Sequence, residues 1–151
     1  MKHFKFSKLF TILIALEIIF SIYGCDKISQ GLQRNKFEFL YRMNNDVTLL
    51  REYTSGINKA EDLKFFESKL NNLYASVNKM ETVKNYGGSD ALKEQFLNLI
   101  DSDLEAVKIL KDKNLPADDI IKDEYEVQIM KDNVNSFIEH LNAEIVKVGK
   151  E

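Results

Sequence analysis

Residues 62–80 read DLKFFESKLNNLYASVNKM. Leu63, Phe66, Leu70, Leu73, Val77 and Met80 recur at intervals of three and four, with charged residues and Asn between them. A strand alternates with period two and cannot place these residues on one face, whereas a helix of 3.6 residues per turn does so. With its flanks, about 59–85, the stretch predicts an amphipathic helix bearing a narrow seam, two positions in seven, of the kind that packs against other helices.

Working outward, the same spacing recurs three times. Upstream, Leu40, Met43, Val47 and Leu50 mark one face of a helix over about 28–54, flanked by Phe39, Leu49 and Tyr53. Ser55-Gly56 breaks it, and Asn58 followed by Glu61 has the spacing of a capping box. Downstream, Gly87-Gly88 stops the central helix and Ser89 suits the N-cap of the next. That third helix, about 90–113, turns Leu92, Phe96, Ile100, Leu104 and Val107 inward, with Leu97, Leu99 and Leu110 widening the stripe. Asn114-Leu115-Pro116 holds the only proline, which suits the first turn of a fourth helix with Asp118 and Asp119 near its positive end. Over 117–148, Val127, Met130, Val134, Phe137, Leu141, Ile145 and Val148 share one seam. Four such helices with short connections predict an all-α, up-down-up-down four-helix bundle about 35–48 Å long.

Composition agrees. The chain of 151 residues is 44% hydrophobic, enough for one core, and its six Gly and one Pro are too few for a turn-rich β-sandwich. Basic and acidic residues number 21 and 24, so no basic patch points to nucleic acid. A single Cys excludes an internal disulfide and any paired-cysteine zinc or redox site.

The N-terminus is an address. Lys2, Lys5 and Lys8 precede the apolar run LFTILIALEIIFSIY, residues 9–23. As a helix the run spans about 22 Å, short of the roughly 30 Å hydrocarbon core, which fits a secretory signal better than a membrane span. It ends in Ile22-Tyr23-Gly24-Cys25, which resembles the lipobox of bacterial lipoproteins: aliphatic at −3, small at −1, Cys at +1. Tyr23 is bulkier than is usual at −2, and Glu17 sets a carboxylate within the apolar run. The resemblance implies lipidation of Cys25, cleavage before it, and a mature protein held by acyl chains on the extracytoplasmic side of the membrane. Asp26 resembles the sorting residue that retains Gram-negative lipoproteins at the periplasmic face of the inner membrane. An uncleaved anchor and an apolar helix packed in the fold are the other readings of the same run. The expected organisation is a signal peptide at 1–24, an acylated Cys and tether at 25–36, and a bundle domain at 37–151. Loss of residues 1–24 removes three Lys and one Glu, taking the net charge from −3 to −5.

Catalytic motifs are sparse. The chain has no GxGxxG, P-loop, GxSxG or HExxH sequence. Asp101-Ser102-Asp103, Asp118-Asp119 and Asp123-Glu124 read as solvated charge, without the alternation and central Gly of a calcium loop. A di-iron bundle site needs two Glu-x-x-His motifs, yet position 137 is Phe and only His140 is available in the bundle. Met43 and His140, on the first and last helices, resemble the axial pair of periplasmic b-type bundle cytochromes and are the candidate cofactor ligands. His140 nevertheless lies at the edge of its stripe, with Glu144 spaced for an exposed pair. Tyr41, Phe65 and Tyr74 fall beside the seams, where aromatic rings either flank a core or form a docking strip. The sequence therefore predicts no metal and no cofactor. It predicts a non-enzymatic, lipid-anchored helical protein that binds a partner in the bacterial envelope, as an adaptor, assembly, exclusion or immunity-type protein. The alternative is a small-ligand or haem-binding bundle.

Overall fold

The computed structural model describes residues 27–150, with side chains from residue 31 onward. The apolar run, Cys25 and Asp26 lie outside the described residues. Among the described residues four helices follow in order: α1 (Lys27–Ser55), α2 (Asp62–Asn78), α3 (Gly87–Asp112) and α4 (Tyr125–Val148). They form an all-α, up-down-up-down bundle. α1 lies mainly along α4, α2 along α3 and α3 along α4, with α1 also touching α2 and, across the diagonal, α3. Polar contacts fix the antiparallel sense: Gln33 near the start of α1 donates to Val148 O at the end of α4, and Lys111 near the end of α3 meets Glu67 early in α2, 2.9 Å away.

The seams read from the sequence build the core. All six apolar positions from Leu63 to Met80 are buried, as are all seven of α4 from Val127 to Val148. At mid-height the rings of Phe96 and Phe137 stack with centroids 5.1 Å apart, an arrangement worth about 0.5–1.5 kcal/mol beyond the area it buries. Burial rather than intrinsic propensity holds these helices, because short helices are marginal alone in water. Among the described residues no helix is long and apolar enough to cross a membrane.

The boundaries differ from those expected, each for a local reason. α2 ends at Asn78, not near 85, because Lys93 of α3 reaches over and donates to Asn78 O and Met80 O, both at 2.8 Å, satisfying carbonyls the helix has left open. Asn85 then adopts φ 68°, and Ser89 lies inside the first turn of α3 rather than capping it. There its hydroxyl donates to Tyr86 O and accepts from Val83 N–H, closing the turn before the helix. Gly88 is required at its position because a Cβ there would sit 2.9 Å from the buried ring of Tyr86. α4 begins at Tyr125 instead of 117, so Pro116 belongs to a connection, not to a first helical turn. The expected Asn58–Glu61 box is replaced by Asp62, whose carboxylate accepts from the backbone N–H groups of Asn58 and Lys59 at 2.9 Å each. Those two donors hold the Asp62 carboxyl below its ordinary value. The segment read as a tether at 25–36 is helical from Lys27 and continuous with α1, and Gln33 ties it to the body through Val148.

Candidate functional site

The two ends of the bundle are built differently. At the near end, where α1 begins, the 79–86 connection packs against the ends of α1 and α4. Tyr86 donates to Glu144 at 3.2 Å, its ring meets Phe39 edge-on at 6.4 Å, and the Lys36 ammonium lies 5.6 Å from the ring centre. Glu144 also pairs with Lys147, so the exposed pair expected between His140 and Glu144 is replaced by these partners.

At the far end, about 40 Å along α1, the α1–α2 and α3–α4 connections run antiparallel and bond to each other. Ala60 N–H donates to Asp119 O and Glu61 N–H to Ala117 O, both at 3.0 Å, and Ile121 N–H donates to Asn58 O at 2.9 Å. Alternation of an extended backbone sorts the side chains: Ile121 turns into the core beside the buried Ile57, and Ile120 turns out with 70% of its surface exposed. Lys113 braces the same end by bridging Glu124 at 2.7 Å and Glu126 at 3.0 Å. These hydrogen bonds raise the Lys113 pKa, while the backbone N–H of Glu126 and then Lys113 lower that of Glu126. Tyr125, the first residue of α4, projects from this braced frame with 74% exposure. Early in α2, Phe65 is 62% exposed, and the Lys69 ammonium stands 4.9 Å from its ring centre and 5.6 Å from that of Tyr53. Large apolar side chains thus meet water on a hydrogen-bonded end, in company with the exposed Asp118, Asp119 and Asp123. Such a surface suits docking of a protein better than capture of a small molecule.

Between α2 and α3 runs an open groove of about 480 Å³. Glu67, Asn71, Asp101, Leu104 and Lys108 line it, and Lys111 closes one side through its ion pair with Glu67. Its charges are mixed and partly paired, so no single ligand charge is selected.

The core holds one chemically unusual group. Asp103, read from the sequence as solvated charge, is 0% exposed, and neither carboxylate oxygen has a hydrogen-bond partner. It occupies the seam position that the sequence reading gave to Leu104, which is only half-buried. Burial alone pushes its carboxyl up to about 8, so the side chain is mainly the neutral acid at pH 7. The other buried polar side chains among the described residues, Thr54 and Ser89, both find backbone acceptors.

The remaining residues proposed from the sequence divide into two sets. Cys25 and Asp26, the lipidation and sorting residues, lie outside the described residues. Met43 is fully buried in α1, whereas His140 is exposed on α4, so the two are not brought together as an axial pair. Among the described residues no group of three or more His, Cys, Asp or Glu side chains is placed to hold a metal ion. The exposure of Ile120 has no signal in the sequence, because residues 117–124 read as helix, and Tyr125 carries none because only the true start of α4 places it at the rim of the bundle. No family model matches the chain, and neither a curated protein nor a solved structure is significantly similar to it.

Proposed function

We propose that this chain is a non-enzymatic, lipid-anchored protein on the extracytoplasmic side of a bacterial membrane that holds a protein partner at the far end of its bundle. The observation that carries the reading is the exposure of Ile120 and Tyr125 on an end braced by three inter-loop hydrogen bonds and the Lys113 ion pairs. A rigid frame presenting aromatic and aliphatic side chains is what a protein interface uses, because little conformational entropy is lost when it is covered. Its position also supports the reading: α1 begins two residues after Cys25, and the braced end stands about 40 Å away along the helix. Anchoring rests on Ile22-Tyr23-Gly24-Cys25 and its resemblance to the lipobox, and the mature charge of −5 offers no attraction to anionic lipid in place of acyl chains. The non-enzymatic part rests on the missing nucleophile, phosphate-loop and metalloprotease motifs.

The test is site-specific photo-crosslinking in intact cells of the source bacterium. A benzophenone side chain at position 120 or 125 should give one discrete adduct, and the same probe at the exposed Val146, near the opposite end, should not. No adduct at 120 or 125, or the same adducts at all three positions, overturns the far-end docking reading.

A further inference from the structure

We infer that Asp103 is a proton-operated latch: the closed bundle holds its side chain only as the neutral acid, and loss of that proton loosens α3 from the helices around it. The inference goes beyond the docking reading and stands on separate residues.

Its first support is position. Leu92, Phe96, Leu99, Ile100, Val107 and Leu110 are the apolar residues of α3 that enter the core, and Asp103 sits in line with them, two turns beyond Phe96. The second is isolation. Both carboxyl oxygens are buried without a hydrogen-bond partner. The buried residues of α2 and α4 are apolar throughout, and α1 adds only Thr54, whose hydroxyl is already bonded to Leu50 O at 2.6 Å. No titratable side chain therefore faces Asp103 from the buried surfaces of the helices packed against α3. Of the partly buried charges on those helices, Asp46 of α1 is itself raised by burial, with Arg42 opposing it. Asp62 and Glu67 of α2 bind the Asn58 and Lys59 N–H groups and Lys111, Lys69 stands over the Tyr53 and Phe65 rings, and Glu126 and Glu144 of α4 bind Lys113 and Lys147. Neither these nor Lys36, Arg51 and Lys131 act on the Asp103 carboxyl, for which burial is the sole cause of the shift. Nothing in the closed state compensates a charge at this position, and a bare buried carboxylate is among the costliest groups a core can hold.

The direction follows from proton linkage. In an opened or unfolded chain the carboxyl meets water and ionises in the ordinary range near 3.8, while in the closed bundle burial holds it at about 8. Between those values the open state binds fewer protons, so closure weakens about tenfold for each unit of rising pH. Below that window Asp103 is neutral in both states and the penalty vanishes; above it both states are ionised and the dependence flattens. Acidification therefore tightens the bundle, and a rise through neutral pH loosens it.

The experiment uses the full chain in detergent micelles. Carbon-13 titration of the wild-type Asp103 carboxyl should give a midpoint near 8; a midpoint near 4 overturns the inference without need of any variant. Asp103→Asn keeps the shape and removes the proton. The ratio of the wild-type folding constant to that of Asp103→Asn should fall about tenfold per pH unit from pH 5 to pH 7. A ratio that does not change with pH refutes the latch. Amide exchange in α3, corrected for intrinsic rate, should accelerate between pH 6 and pH 8 in the wild type and not in Asp103→Asn; equal behaviour of the two also refutes it.

Discussion

Replacing Asp103 with leucine should stabilise this protein, although the substitution removes an ionisable residue from an amphipathic helix. Burial raises the Asp103 carboxyl from its ordinary 3.8 to about 8 with no partner to offset the cost. At pH 7 the protonated side chain must be retained over roughly three pH units in which the unfolded chain releases it. At 1.36 kcal/mol per unit this is about 4 kcal/mol of stability that the wild type forgoes. Leucine contributes about 1.5–3 kcal/mol of new apolar burial, and the added volume in a filled core costs about 1–3 kcal/mol, so these two roughly cancel. The expected gain is therefore about 4 kcal/mol at pH 7, shrinking to about 0.5 kcal/mol at pH 4, where the unfolded carboxyl is close to half protonated, and vanishing below about pH 3. For about 120 ordered residues with an unfolding entropy near 2.1 cal/mol/K each, 4 kcal/mol corresponds to about 15 °C in Tm. Urea and thermal unfolding followed by far-ultraviolet circular dichroism at both pH values supply the comparison. An Asp103→Leu protein no more stable than wild type at pH 7, or one with the same gain at pH 4, would refute the reasoning.

Other substitutions probe separate parts of the structure. Phe96→Ala empties the centre of the core and removes the stack on Phe137, and should cost about 3–5 kcal/mol in urea unfolding. Asp62→Ala leaves the Asn58 and Lys59 N–H groups without their acceptor and should cost about 1 kcal/mol. Because the Asp62 carboxyl is held below its ordinary value, its contribution is complete above pH 3.8 and is lost as pH falls through the lowered value; equal acid sensitivity of wild type and variant would contradict this. Gly88→Ala drives a methyl into the Tyr86 ring and should destabilise by about 1 kcal/mol, read as a lower urea midpoint. The double substitution Ile120→Ser with Tyr125→Ser should leave stability within about 0.5 kcal/mol of wild type, since both side chains face water, while abolishing the proposed docking of a partner at this end. That loss is read by photo-crosslinking from the neighbouring position 118.

The sequence carried the helices more fully than it carried their ends. A seam of large apolar residues at three-and-four spacing has one inexpensive solution, burial against other seams, and α2 and α4 follow it residue for residue. Where α2 stops is not written in α2: Met80 continues the spacing and is buried, but Lys93 from the next helix takes the last carbonyls and turns the chain. The start of α4 was hidden in the same way, because Ile120 and Ile121 look like helical apolar residues until their backbone is seen to pair with Asn58–Glu61 of the other connection. Asp103 was legible in principle. A register through Phe96, Leu99, Asp103, Val107 and Leu110 places an acid in the seam, but Leu104 offered an apolar alternative one residue away, and the cost of burying a carboxylate favoured it. The outward face of the far end depends on contacts between connections distant in sequence, which no local pattern encodes. Cys25, by contrast, is a purely local signal and rests on the sequence alone.

The central claim is that the chain acts from a membrane through a lipidated Cys25, and the intact mass of the protein extracted from membranes tests it most directly, beside a Cys25→Ser variant. The account predicts a wild-type mass lacking residues 1–24 and increased by acyl chains, with both changes lost in the variant. An unprocessed, unacylated wild-type mass would contradict it.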